Sequence, residues 1–92
     1  MIRSFRDRET EKVFRRERSR KFGGIENIAR RKLRLLDDAE VLQDIAVIPG
    51  NRLKSLKGNR QGQYSVRIND QWRVCFVWRG NAAEDVEIVD YH

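Results

Sequence analysis

QYSVRINDQWRVCFVWR, residues 63–79, is the stretch that decides the fold. Tyr64, Val66 and Ile68 alternate with Ser65 and Arg67, and Trp72, Val74, Phe76 and Trp78 alternate with Arg73, Cys75, Val77 and Arg79. A period of two marks a strand with one buried face, so strands are expected over Gln63–Ile68 and Gln71–Arg79. A two-residue Asn69-Asp70 turn would set Ile68 against Gln71 and Arg67 against Trp72, mixing polar and apolar side chains on one face. A three-residue loop, Asn69-Asp70-Gln71, pairs Ile68 with Trp72 and Val66 with Val74. Burial enforces the second register, because a one-residue slip inverts a strand. That register also sets Arg67 directly across from Arg73. Two cations so placed repel, unless an anion sits between them or carboxylates neutralise them.

Working outward, Gly80-Asn81 predicts a turn and Val86–Tyr91 a final strand. Upstream, Gly58-Asn59-Arg60-Gln61-Gly62 reads as a loop and Pro49-Gly50 as a turn, with Leu42–Ile48 a mixed segment holding a short turn of helix. Before these, Ile25, Ile28, Ala29, Leu33, Leu36 and Ala39 recur at helical spacing and give the clearest amphipathic helix. Asp7 is a good N-cap for a helix over about Arg8–Arg20, with Glu9 and Glu11 in its first turn and arginines crowding its end. Met1–Arg6 reads as a first strand. The sum is an α+β domain over residues 1–92: an N-terminal edge strand, two helices, then an antiparallel sheet with the helices packed on one face. The other face carries Arg67 and Arg73, open to a ligand.

Ninety-two residues suit one domain, and 39% apolar against 37% charged residues gives one core under a densely charged surface. No apolar run approaches the ~20 residues that span a bilayer, and the first residues lack the apolar stretch of a signal peptide. A cytoplasmic protein without membrane contact is therefore expected. One cysteine excludes an internal disulfide, and with one histidine there is no recognisable zinc set, so neither metal nor cofactor is expected. The net charge of +6 points to a polyanionic partner. It is unevenly spread: residues 1–34 hold thirteen basic and five acidic side chains, residues 35–92 seven and nine. Arg15–Lys21 and Arg30–Arg34 read as helix surface, or as an electrostatic footprint on RNA.

The last residues, Asp90-Tyr91-His92, place a carboxylate, a phenol and an imidazole together. Arg52, Lys54, Lys57 and Arg60 form a basic run elsewhere in the chain. Brought together by the sheet, the two segments would put proton-transfer groups beside cations. RNA strand cleavage needs that set: a base for the ribose 2′-OH, cations for the charge building on phosphorus, and an acid for the departing 5′ oxygen. The blander readings are a frayed tail and a solvated loop. Trp72 and Trp78 fit packing better than base stacking, and Cys75 fits a small buried hydrophobe.

Three motifs taken together resemble the HigB-like toxins of the RelE/ParE superfamily, also called plasmid maintenance system killer proteins. They are Gly50-Asn51-Arg52-Leu53 through Leu56-Lys57-Gly58-Asn59-Arg60, then Asn69-Asp70-Gln71-Trp72-Arg73, then Asp90-Tyr91-His92. The opening Met1-Ile2-Arg3-Ser4-Phe5 and the length fit as well. The resemblance implies a RelE-like fold and a type II toxin that cleaves mRNA in the ribosomal A site and is silenced by a helix-turn-helix, HigA-like antitoxin. It implies catalytic roles for Asp90, Tyr91 and His92 and phosphate-facing roles for Lys57 and Arg73, with Arg52, Lys54, Arg60 and Arg67 left to bind RNA. Some family members have histidine where this chain has Lys54. Lysine, with an ordinary pKa of ~10.4, is a charged donor, so Asp90 or His92 is the better candidate base. A non-catalytic, ParE-like toxin that blocks a protein target such as a topoisomerase is the alternative from another class.

Overall fold

The computed structural model describes residues 1–90. Helix α1 (Arg8–Phe14) is followed by α2 (Glu26–Asp38) and a short α3 (Leu42–Ala46). Strands β1 (Lys54–Ser55), β2 (Gln63–Arg67), β3 (Trp72–Arg79) and β4 (Ala82–Asp90) then form one antiparallel sheet in the order β1-β2-β3-β4.

The hairpin register is the one burial demands. Val66 pairs with Val74 and Arg67 with Arg73. The loop is Asn69-Asp70-Gln71, and the Asn69 side chain makes it: its Oδ1 accepts from the backbone N–H of Gln71 and of Trp72, both at 2.8 Å. The next hairpin turns on Gly80-Asn81, with Arg79 opposite Ala82 and Gly80 at φ 65° in the left-handed region a tight turn requires. The last strand begins earlier than expected, at Ala82, because that two-residue turn lets pairing resume at once. A register shift opposite Cys75–Val77, with Asp85 at φ 52°, kinks it.

Met1–Arg6 runs parallel to β4 and forms isolated bridges at Ile2–Ala83 and Phe5–Val86. The expected edge strand is thus present only as two points of pairing, since the β4 kink at Asp85 lies between them. Beyond Val86 the outer edge of β4 meets α1 instead. The Thr10 hydroxyl, fully buried, accepts from the Ile88 N–H at 3.0 Å.

The first helix is shorter than the sequence suggests. Asp7 caps it, accepting from the Thr10 N–H at 3.0 Å, but it stops at Phe14 and Arg16 turns left-handed (φ 63°). The chain folds back because Phe22 must reach the core, where it is 1% exposed and meets Trp72 edge-on at 5.5 Å. Ser19 Oγ donates to Glu9 at 2.9 Å and pins the return. Ala29, Leu33 and Leu36 of α2, with Val13, Phe22 and Ile45, cover Val66, Ile68, Val74, Phe76, Val86 and Ile88 of the sheet. Trp72 and Trp78 pack at the edge of this core, as their alternation predicts.

Candidate functional site

The second face of the sheet holds Ser65, Arg67, Arg73, Cys75, Glu87 and Val89, in cross-strand rows Ser65–Cys75–Glu87 and Arg67–Arg73–Val89. It is less open than expected. Ser65 and Cys75 are fully buried and Arg73 is 6% exposed. The cover is the basic loop itself: Arg60 reaches across β2 and β3 to Glu87 on β4 (2.8 Å) and also donates to Gln63 at 3.0 Å. Leu56 is buried beneath that loop's start.

A buried guanidinium must have its hydrogen bonds met within the protein. Arg73 Nε donates to Ser65 Oγ at 2.8 Å, and Nη2 donates to the carbonyls of Arg52 (2.7 Å) and Ser65 (3.3 Å). Arg67, its cross-strand neighbour, turns to Asp70 in the hairpin loop. The arginine pair therefore does not depend on an anion between the two side chains. One guanidinium goes to a carboxylate and the other to carbonyls and a hydroxyl, so repulsion is relieved by divergence.

Arg52 serves by its backbone. It sits in the left-handed region (φ 44°, ψ 55°), a conformation costing roughly 1–2 kcal/mol for a residue with a Cβ, while its side chain is exposed. The turn before it is anchored by Asn51, 1% exposed, whose Nδ2 donates to the Ile45 carbonyl at 3.0 Å. Asn51 Oδ1 accepts from Lys32 Nζ of α2 at 2.6 Å. Burial pushes the Lys32 ammonium below its ordinary pKa, and the nearby Arg31 and Arg67 add to that. Asn51 falls within the Gly50–Leu53 motif but no structural role is readable for it there, and patterning does not single out Lys32. For Lys32 the signal is that it lies four residues from both Ile28 and Leu36, at the margin of the apolar stripe.

Lys54 pairs with Ser65 in the β1–β2 ladder and is exposed, as is Lys57 at the entry to the 3-10 turn Gly58–Arg60. Asp90 pairs with Trp72, adjacent to the Arg73–Val89 pair. Strand alternation sends it toward the Trp72 side rather than the Arg73 side, and Gln71 Nε2 donates to its Oδ2 at 3.2 Å. Tyr91 and His92 lie outside the described residues. Burial raises the Cys75 thiol above its ordinary pKa, and Glu87 adds to this while Arg60 and Arg73 oppose it. Cys75 is the small buried residue that was expected. Among the described residues no His, Cys, Asp and Glu group is placed to hold a metal, and no helix is long and apolar enough to cross a membrane.

Residues 3–92 match the family described as the RelE-like toxin of type II toxin-antitoxin system HigB. The chain belongs to the HigB-like toxins. Toxin HigB-1 of Vibrio cholerae serotype O1 (strain ATCC 39315 / El Tor Inaba N16961) is 36% identical over 80 residues, covering 85% of this chain and 84% of the relative. Two solved structures share the fold. The YoeB-YefM complex from Staphylococcus aureus matches with a TM-score of 0.57, and the heterotetrameric YoeB-YefM toxin-antitoxin complex from the same organism with 0.58. Each is 19% identical and covers 100% of this chain and 98% of the other. This HigB-like chain is thus a type II toxin on a RelE-like α+β fold, and an antitoxin is its expected partner. Among the described residues, the motifs on which the resemblance rests fall on the turn at Gly50–Arg52, the loop across the sheet, the β2–β3 hairpin and, at Asp90, the last residue of β4.

Proposed function

We propose that this HigB-like toxin is a ribosome-dependent endoribonuclease that cleaves mRNA in the A site by attack of the ribose 2′-OH, with general acid–base catalysis and no metal. The observation that carries the reading is Arg73, a nearly buried cation held by Ser65 and the Arg52 carbonyl on a sheet face crossed by the basic loop. A fixed cation stabilises developing phosphorane charge best because nothing need reorganise as the reaction proceeds. Exposed Lys57 and Lys54, with Arg52 and Arg67, supply further positive charge for the phosphates. Asp90, Tyr91 and His92 supply the acid and base; β4 ends at Asp90, one register position past the Arg73–Val89 pair, with the Asp90 side chain on the Trp72 side of the sheet. Asp90 or His92 is the base.

One general acid or base contributes about 10²–10⁴-fold, whereas in-line positioning of the nucleophile contributes on the order of 7–11 kcal/mol. The ribosome provides that positioning, so the free toxin is nearly inert on naked RNA. The partners are mRNA on the ribosome and a helix-turn-helix, HigA-like antitoxin, and the compartment is the cytoplasm.

The test is cleavage of mRNA on programmed ribosomes, read by mapping 5′ ends. Removing Tyr91 and His92 abolishes cleavage, and Arg73→Ala lowers it by about 10²–10³-fold. Arg73→Lys keeps the charge but loses the planar fork that spans Ser65 and Arg52, and recovers only part of the rate. Unchanged cleavage by the truncated chain, or rapid cleavage of purified mRNA without ribosomes, overturns the proposal. Toxicity without any cleavage would favour the protein-blocking reading instead.

A further inference from the structure

We propose that Lys32 and Asn51 are positioning residues for the Arg73 guanidinium, acting through the left-handed turn at Arg52. The link is continuous. Lys32 Nζ donates to Asn51 Oδ1 at 2.6 Å, and Asn51 Nδ2 donates to the Ile45 carbonyl at 3.0 Å. The Asn51 N–H closes the turn on the Ile48 carbonyl at 3.0 Å. The next residue, Arg52, is left-handed, and its carbonyl accepts from Arg73 Nη2 at 2.7 Å. The Lys32 ammonium also lies against the turn, 3.8 Å from where a Cβ on Gly50 would stand. Helix α2, on one side of the sheet, thereby sets the angle of a carbonyl that orients a cation on the other.

The choice of residue argues for more than stabilisation. Lys32 is partly desolvated and stands near two other cations, Arg31 and Arg67, and among the described residues no carboxylate forms an ion pair with it. A neutral donor would hold Asn51 at less electrostatic cost. The ammonium also adds a positive charge that is felt electrostatically by Arg67, a residue that the ribonuclease reading assigns to phosphates. Its primary act is still the bond to Asn51, because that bond is short and directed at a buried acceptor.

This inference rests on the ribonuclease reading for its catalytic half only, so the experiment has two arms. In the first, the Arg73 Nε–Hε resonance, identified by its loss in Arg73→Lys, is followed in the isolated toxin. Lys32→Met shifts and broadens it, whereas Lys32→Gln, which keeps a donor toward Asn51, leaves it near the native position. In the second arm, single-turnover cleavage on programmed ribosomes falls by about 10- to 100-fold in Lys32→Met at saturating ribosome, with half-saturation little changed, and Lys32→Gln restores most of the rate. An unmoved Arg73 resonance in Lys32→Met overturns the structural link. A moved resonance with an unaltered rate, while Arg73→Ala is impaired, overturns the catalytic half. Lys32→Gln as impaired as Lys32→Met with weakened half-saturation identifies a charge contact to RNA and also overturns the proposal. Should the native toxin fail to cleave at all, the ribonuclease reading falls, while the resonance arm still decides the link.

Discussion

Cys75 and Arg73 stand two positions apart on one strand and face the same side of the sheet, yet the surroundings ask opposite things of them. Arg73 is held by two carbonyls and a hydroxyl that accept hydrogen bonds from its guanidinium. Cys75 stays neutral because burial outweighs the pull of Arg60 and Arg73 on its proton. A thiol whose folded pKa is raised contributes stability that is complete below the unfolded value, near 9.0, and is lost as pH rises through the folded value. Denaturant melts should therefore lose stability above pH 9.0 in the native chain and lose less in Cys75→Ala. Alkylation of the thiol should be slow until the protein unfolds. In the sequence the residue identities of this face were legible, because strand alternation and the hairpin register both follow from the apolar pattern. Of the partners, Asp70 lies only three residues from Arg67, whereas the Arg52 carbonyl that Arg73 takes depends on a turn distant in sequence.

Among the elements, α1 departs most from its sequence reading. Its N-cap was legible in Asp7, but its end was set by the return of Phe22 to the core, a long-range demand that overrides local propensity. Two bonds tie it down. Thr10→Val keeps the shape but strips the acceptor from the buried Ile88 N–H, so a loss of about 1–3 kcal/mol is expected in equilibrium unfolding. The second bond, from Ser19 to Glu9, together with Lys12, holds the Glu9 carboxyl below its ordinary value near 4.5. A depressed carboxyl contributes stability that is present above the unfolded value and lost as pH falls through the folded one. Ser19→Ala should accordingly flatten the fall of stability below pH 4.5, and an unchanged acid profile would deny the bond any role.

At the scale of the molecule, the charge asymmetry becomes a basic flank. Arg16, Asn27, Arg30, Arg31 and Arg34 line a cleft of about 290 Å³ on the helical layer, with Arg30 Nε fixed on the Val13 carbonyl at 2.9 Å. Residue order alone allows Arg30–Arg34 to be either solvated surface or RNA footprint, and the fold brings Arg16 beside them. If they meet phosphates, Arg31→Gln with Arg34→Gln should weaken ribosome association. The slope of log affinity against log salt should also drop by about 1 for each phosphate that is no longer neutralised. A slope identical to that of the native toxin would return this flank to plain solvated surface.

The sheet register, the amphipathic α2, the Asp7 cap and, through three motifs, the family were all legible in the residues alone. The first three rest on periodicity or on local backbone chemistry, which act over a few residues, and the family rests on the resemblance of the motifs. Three other features needed the folded chain: where α1 ends, that the basic loop covers the middle of the sheet face, and that Lys32 and Asn51 reach the turn supporting Arg73. Those features arise from packing and hydrogen bonds between segments far apart in the chain. Which donor meets which acceptor there is fixed by three-dimensional packing and leaves no period in the residues to read.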